Sequence, residues 1–194
     1  MSPRRALKAA VFAAAAVAVF PAIAGAWLER RFTRSEQVFL FFAQSLALVP
    51  GLPGVWLRAA WYAGTLEQAH WETHVGFGSV IAKRGARLAA RASIGSYCVL
   101  GHAELGEGVM MGSRVSVPSG KRQHFDADGR LSDGGGTFDI VRIGAGSWIG
   151  EGAIVVADVG ARCVVAAGAV VTHPIPDGSL AAGNPARVIR PVEH

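Results

Sequence analysis

One histidine stands apart from the rest of the chain. His124 lies in "SGKRQHFDADGRLSDGGGTFDIVRIG" (residues 119–144), a polar stretch that interrupts a run of short aliphatic units. An imidazole titrates near neutrality, so a well-placed histidine can serve as a general base or acid. The competing reading of His124 is a solvated loop side chain. A second candidate is "HWETH" (70–74), whose His70 and His74 would share one face of a helix and could chelate zinc there. The pair lies outside any Glu-bearing metalloprotease pattern, and no metal is expected.

The elements that must position His124 are repeats. From residue 82 the units "AKRGAR", "LAARAS", "IGSYCV", "LGHAE", "LGEGVM" and "MGSRVS" follow one another. After the insertion come "IGAGSW", "IGEGAI", "VVAD", "VGARCV" and "VAAGAV". Most begin with an aliphatic residue, place a small one next, and carry Ala, Val, Cys or Ser fifth. Neither the helical period of 3.6 nor the strand period of 2 fits. A fixed period of six predicts a parallel β-helix, in which three short strands close a triangular coil and one aliphatic side chain per face points inward. Such coils bury their faces only by stacking, so both ends need caps. Residues 184–194, "NPARVIRPVEH", are placed to close one end, and an apolar hairpin before the coils is placed to close the other. Cys98 and Cys163 both fall at the fifth place, which makes them inward packing residues. Two cysteines are too few for a disulfide framework, and a reduced compartment follows.

These units, with "VRIGAGSWIGEGAIVVADVG" and the closing "VVAAGAVVTHPIPDGSLAAGNPARVIR", resemble the hexapeptide-repeat acyltransferase family. Within it the chain looks most like the O-acetyltransferases of polysaccharide and antibiotic modification. The resemblance covers residues 75–190 or so, and it implies a left-handed β-helix, acetyl-CoA as donor, and a homotrimer with clefts between subunits. It further implies that His124 is the catalytic base, carried to such a cleft by the insertion, and that the acceptor is a sugar hydroxyl. For CoA it implies Trp148 beside the pantetheine arm, close passage at Ala167 and Gly168, and Asn184, Pro185 and Arg187 at the nucleotide end. Arg187 or Arg190 would meet phosphates. The family's usual lysine after the last "VVT" is His173 here, which departs from the pattern. Plain packing or solvation accounts for several of these positions equally well. Two other functions fit parts of the pattern. One is a catalytically silent, membrane-anchored β-helix scaffold. The other is the zinc carbonic anhydrase branch of these β-helices, for which His102 and His124 lack a convincing third histidine.

The amino-terminal third has another composition. Residues 9–28, "AAVFAAAAVAVFPAIAGAWL", contain no charge and suffice for about 30 Å of hydrocarbon at ~1.5 Å per residue. Arg4, Arg5 and Lys8 precede the run and Arg30, Arg31 and Arg34 follow it, so the positive-inside rule is ambiguous. Ala24-Gly25-Ala26 would pass as a signal-peptide cleavage site. Residues 37–66 are apolar again, with a helix predicted to Val49, a break at "PGLPG", and a second helix from Val55 to about Leu66. Phe39, Phe41, Phe42, Trp56, Trp61 and Tyr62 suit a hairpin lying in one leaflet, or a pair of helices capping a core.

The expected organisation is mainly β: a hydrophobic anchor helix at 1–35, a helical hairpin at 36–74, and a β-helix at 75–194 with an inserted loop at 118–142. Nineteen Lys and Arg against fourteen Asp and Glu is a mild excess without dense basic runs, which speaks against nucleic-acid binding. Because acetyl-CoA is held in the cytosol, the coils of a membrane-associated enzyme are expected on the cytoplasmic side.

Overall fold

The computed structural model describes residues 3–33, 35–120, 128, 130–131 and 138–192. The unit at 94–99 shows how six residues make one side of a coil. Ile94 points inward, Gly95 opens the corner, and Tyr97 takes φ +58° to complete it. Cys98 fills the inside of the corner, Val99 faces out, and Leu100 turns in again. Burial pushes the Cys98 thiol pKa up, in keeping with a packing role.

Stacking these sides gives three parallel ladders. The first face holds Gln68–Ala69, Arg87–Leu88, Ala103–Leu105 and Val141–Ile143, then continues as single bridges at Val159 and Ile175. The second holds His74–Val75, Ser93–Ile94, Met110–Met111, Trp148–Ile149, Val164–Val165 and Ser179–Gly183. The third holds Val80–Ile81, Val99–Leu100, Ser116–Val117, Ile154–Val155 and Val170–Val171. At the carboxy-terminal end Ser179–Gly183 turns back into Ala186–Pro191, an antiparallel strand that closes the second ladder.

The small second residue of each unit has a steric cause. A Cβ built at Gly150 would stand 2.7 Å from the Ala166 carbonyl carbon of the next coil, inside any allowed contact. Gly150→Ala is therefore expected to destabilise the stack by about 1–3 kcal/mol through overpacking. Denaturant unfolding would read this as a lower midpoint with unchanged slope. An unchanged midpoint would count against the tight corner.

Helix α1 spans Pro3–Phe32, α2 Gln37–Ala47 and α3 Gly51–Thr65. The break between α2 and α3 is shorter than "PGLPG" predicts. Pro53 and Gly54 belong to the first turn of α3, where a proline costs nothing because N–H groups there have no partner within the helix. Phe39, Trp61 and Tyr62 do not face a leaflet. All three are fully buried where the helices close the open end of the first coil. Tyr62 Oη accepts a hydrogen bond from the Ile81 N–H at 3.0 Å, and burial pushes its pKa up to about 12, so the phenol stays protonated. Arg58, also buried, donates to the Leu46 and Val49 carbonyls at the end of α2 and to Val75 O on the first coil.

Helix α1 lies across this cap. Near its start Arg5 approaches Glu72 at 3.7 Å and the Phe12 ring packs on Trp71. Near its end Arg84 reaches from the first coil to Glu29 and donates to Ala26 O at 2.9 Å. Ala26, the last residue of the would-be cleavage site, is fully buried. The opposite side of α1 exposes Leu7, Val17, Phe20, Trp27, Leu28 and Phe32. By length and composition α1 is the one described helix able to cross a membrane.

Candidate functional site

The coil opens at the edge between the third and first faces. The chain leaves after Val117 and rejoins the first ladder at Val141. His124 itself lies outside the described residues, but the root of the excursion is well defined. Ser119 is buried, and its Oγ accepts the His102 N–H at 2.8 Å while its carbonyl accepts the Asp139 N–H at 3.2 Å. His102 Nδ1 lies 3.3 Å from Phe138 O, and Lys83 Nζ sits over the Phe138 ring, 4.4 Å from its centroid. A cavity of about 320 Å³ flanks this root, lined among others by Gly120, Asp139, Val156, Asp158 and Pro174.

Asp158 holds the strand that restarts the coil, accepting the Arg142 backbone N–H at 2.9 Å. Ser119 and Asp139 were not singled out from sequence, and His102 was named there only as a possible zinc ligand beside His124. The signal that finds them is the coil length: His102 and Ser119 stand seventeen residues apart, one coil, so they meet only when the repeat is wound.

The residues that the resemblance assigns to CoA gather elsewhere. Trp148, Val164, Leu180 and Arg190 form one outward row across the second face, each in register with the next. At about 4.8 Å per strand the row spans about 14 Å from Trp148 to Arg190. The Trp148 indole is half exposed. Ala167 and Gly168 are exposed at the edge between the second and third faces, Gly168 at φ +69° with open space around it. Because Val165 pairs with Ala181, the turn of Asn184 and Pro185 projects past this same edge. Arg187 lies opposite Ala182 on the closing strand and donates to Ala186 O. Thus Trp148, Ala167, Gly168, Asn184, Pro185, Arg187 and Arg190 share one end of the stack. The loop root lies on another edge, a face's width away, and one chain does not bring the two sets together.

"HWETH" is not helical. It rounds a corner from Gln68–Ala69 to His74–Val75, so the four-residue spacing does not put His70 and His74 on one helix face. Among the described residues no three His, Cys, Asp or Glu side chains converge as metal ligands would.

Comparison with known proteins agrees with this architecture. No family model matches the chain. The Schizosaccharomyces pombe protein named "Putative acetyltransferase C18B11.09c" is 37% identical over 93 residues, 46% of this chain and 44% of that protein. The chain thus spans less than half the length of this curated relative. The crystal structure of a maltose O-acetyltransferase from Clostridium difficile 630 superposes with a TM-score of 0.55 at 23% identity, covering 82% of this chain and 87% of that one. A galactoside acetyltransferase in complex with coenzyme A superposes with a TM-score of 0.53 at 20% identity, covering 79% and 80%. By fold, the chain is a hexapeptide-repeat left-handed β-helix, built like these acetyltransferases.

Proposed function

We propose that the protein is an acetyl-CoA-dependent O-acetyltransferase acting on a sugar hydroxyl of a polysaccharide or lipid-linked glycan precursor. The observation that carries this reading is the opening of the coil at the third-to-first edge, with a cavity at its root and His124 in the excursion. A purely structural β-helix gains nothing by interrupting its ladder there. The relative named as an acetyltransferase and the sugar acetyltransferases of the same fold support the reaction class.

In the proposed reaction the His124 imidazole takes the acceptor hydroxyl proton as that oxygen attacks the thioester carbonyl. The tetrahedral oxyanion collapses, the C–S bond breaks, and the imidazolium returns its proton to the CoA thiolate. Trp148, Ala167 and Gly168 would flank the pantetheine arm, with Asn184, Pro185, Arg187 and Arg190 at the nucleotide end.

The separation of the two residue sets favours a homotrimer, in which one subunit's excursion meets the CoA edge of its neighbour. Purified full-length protein, given acetyl-CoA and a panel of glycan acceptors, should release free thiol with one class of them. In mixed trimers, inactive His124→Ala subunits and inactive CoA-edge variants should restore activity to each other by pairing complementary sets at some interfaces. A fully active monomer would rule out the shared site, and thiol release with no acceptor in the panel would count against the sugar.

The helical cap is proposed to lie on the cytoplasmic surface of a membrane. Contact of both halves of α1 with the first coil favours lying along the bilayer over crossing it. Leu7, Val17, Phe20, Phe32, Phe41 and Leu52 would enter the interface, and Arg4, Arg5 and Lys8 suit anionic headgroups.

A further inference from the structure

Two cavities on the helical cap lie side by side. The first is an apolar groove of about 510 Å³ between α1 and α3, lined by residues such as Val11, Ala15, Leu52, Trp56 and Leu57. The second, about 280 Å³, lies between the start of α1, the start of α3 and the first corner of the coils. Leu52 and Trp56 line both, so the apolar groove and the second cavity adjoin across these two side chains.

The second cavity differs in chemistry. Its lining includes Lys8, Trp71, Thr73, His74 and Arg91. Thr73 is 5% exposed, yet its hydroxyl has no hydrogen-bond partner among the described residues. A buried hydroxyl without a partner costs roughly 1–3 kcal/mol, and because this one is sealed from solvent, a ligand in the cavity gains that back when the Thr73 side chain turns its hydroxyl toward it. Glu72 also lines the cavity, and Arg5 lies 3.7 Å from its carboxylate. Arg91, whose guanidinium also pairs with Glu107 at 2.6 Å in an exposed position, and Lys8 are the cations of the lining. Burial, then the nearby Arg58 charge, lowers the His74 pKa, which leaves its imidazole neutral and able to donate or accept. Trp56 and Trp71 supply rings with an apolar body and a polar N–H, the kind found at a membrane interface.

We infer that the two cavities form one amphiphile site, which holds a single membrane lipid by its anionic phosphate headgroup at Lys8, Thr73 and Arg91 and by one chain in the groove. The inference rests on the membrane placement proposed above and adds a specific site to it. The headgroup chemistry is shared with free phosphate, but the groove selects the lipid.

The test uses full-length protein in mild detergent and native mass spectrometry, with dioleoyl phosphatidylglycerol, dioleoyl phosphatidylcholine or inorganic phosphate as probes. One phosphatidylglycerol per subunit should be retained, and Lys8→Gln with Arg91→Gln should weaken retention about tenfold or more. Thr73→Val should weaken it further. The exposed Arg91→Gln variant keeps the test informative if the buried Thr73 change unfolds the cap. Equal retention of phosphatidylcholine, or displacement of the lipid by millimolar phosphate, would overturn the site. Vesicle cosedimentation is a separate readout. Wild-type protein that binds no vesicle yet retains one phosphatidylglycerol in detergent would remove the membrane placement and leave this site standing.

Discussion

His124→Ala should slow acetyl transfer by about two to four orders of magnitude and leave CoA binding intact. The size of the effect follows from the chemistry. The thioester is already activated, so the slow event is deprotonation of a hydroxyl whose pKa lies far above neutrality. Without a base at the acceptor oxygen, attack must wait for the rare alkoxide or for water to remove the proton. The proposed CoA edge, by contrast, is built from the second ladder and the closing hairpin, and the residues assigned to CoA there do not include His124, even where a neighbour's excursion would meet it. Its affinity should therefore barely change, and a kcat loss at unchanged KM for acetyl-CoA separates a catalytic base from a residue that only shapes the loop. His124→Gln, which keeps a hydrogen-bonding side chain without a titratable base, should be as slow as His124→Ala. Turnover near the wild-type level in either variant would refute the assignment.

The part of this architecture legible in the sequence was the part set by local repetition. Each unit carries its own instructions, an aliphatic residue inward, a glycine where the next coil presses close, and a small residue inside the corner. Ile94, Gly95 and Cys98 therefore read correctly in isolation, and so did the coils they build. What could not be read depends on long-range placement. Phe39, Trp61 and Tyr62 are apolar enough for a leaflet or a core, because hydropathy measures the drive out of water and says nothing of the destination. The structure sends them into the cap. His70 and His74 suggested a shared face only on the assumption of a helix, and the chain rounds a corner there instead. In the sequence Glu29 stands as one more charge beside an apolar run. Its partner, Arg84, is 55 residues away, and nothing local announces the pair.

That pair carries the largest expected effect on stability. Glu29 is a buried carboxylate in α1, and it meets Arg84, equally buried, from the first coil. The carboxylate also accepts the Val38 N–H at 2.7 Å and the Phe39 N–H at 3.2 Å, two donors that the start of α2 would otherwise leave unpaired. Arg84 in turn bonds Ala26 O and stacks on the Phe39 ring, 4.8 Å from its centroid. One ion pair thus ties α1, α2 and the first coil together. Removing either member leaves an uncompensated charge out of water, so Glu29→Ala or Arg84→Met should each cost about 3–5 kcal/mol. Glu29→Leu combined with Arg84→Met should cost well below the sum of the single changes, because the orphaned charge is then gone. Only the loss of the α2 donors' partner, on the order of 1–3 kcal/mol, should survive in the double variant. Denaturant unfolding gives the stabilities, and limited proteolysis after residue 32 shows whether α1 has come away from the cap. Single variants within about 1 kcal/mol of wild type would mean that the pair stays solvated and that α1 is not fixed to the coils at this end.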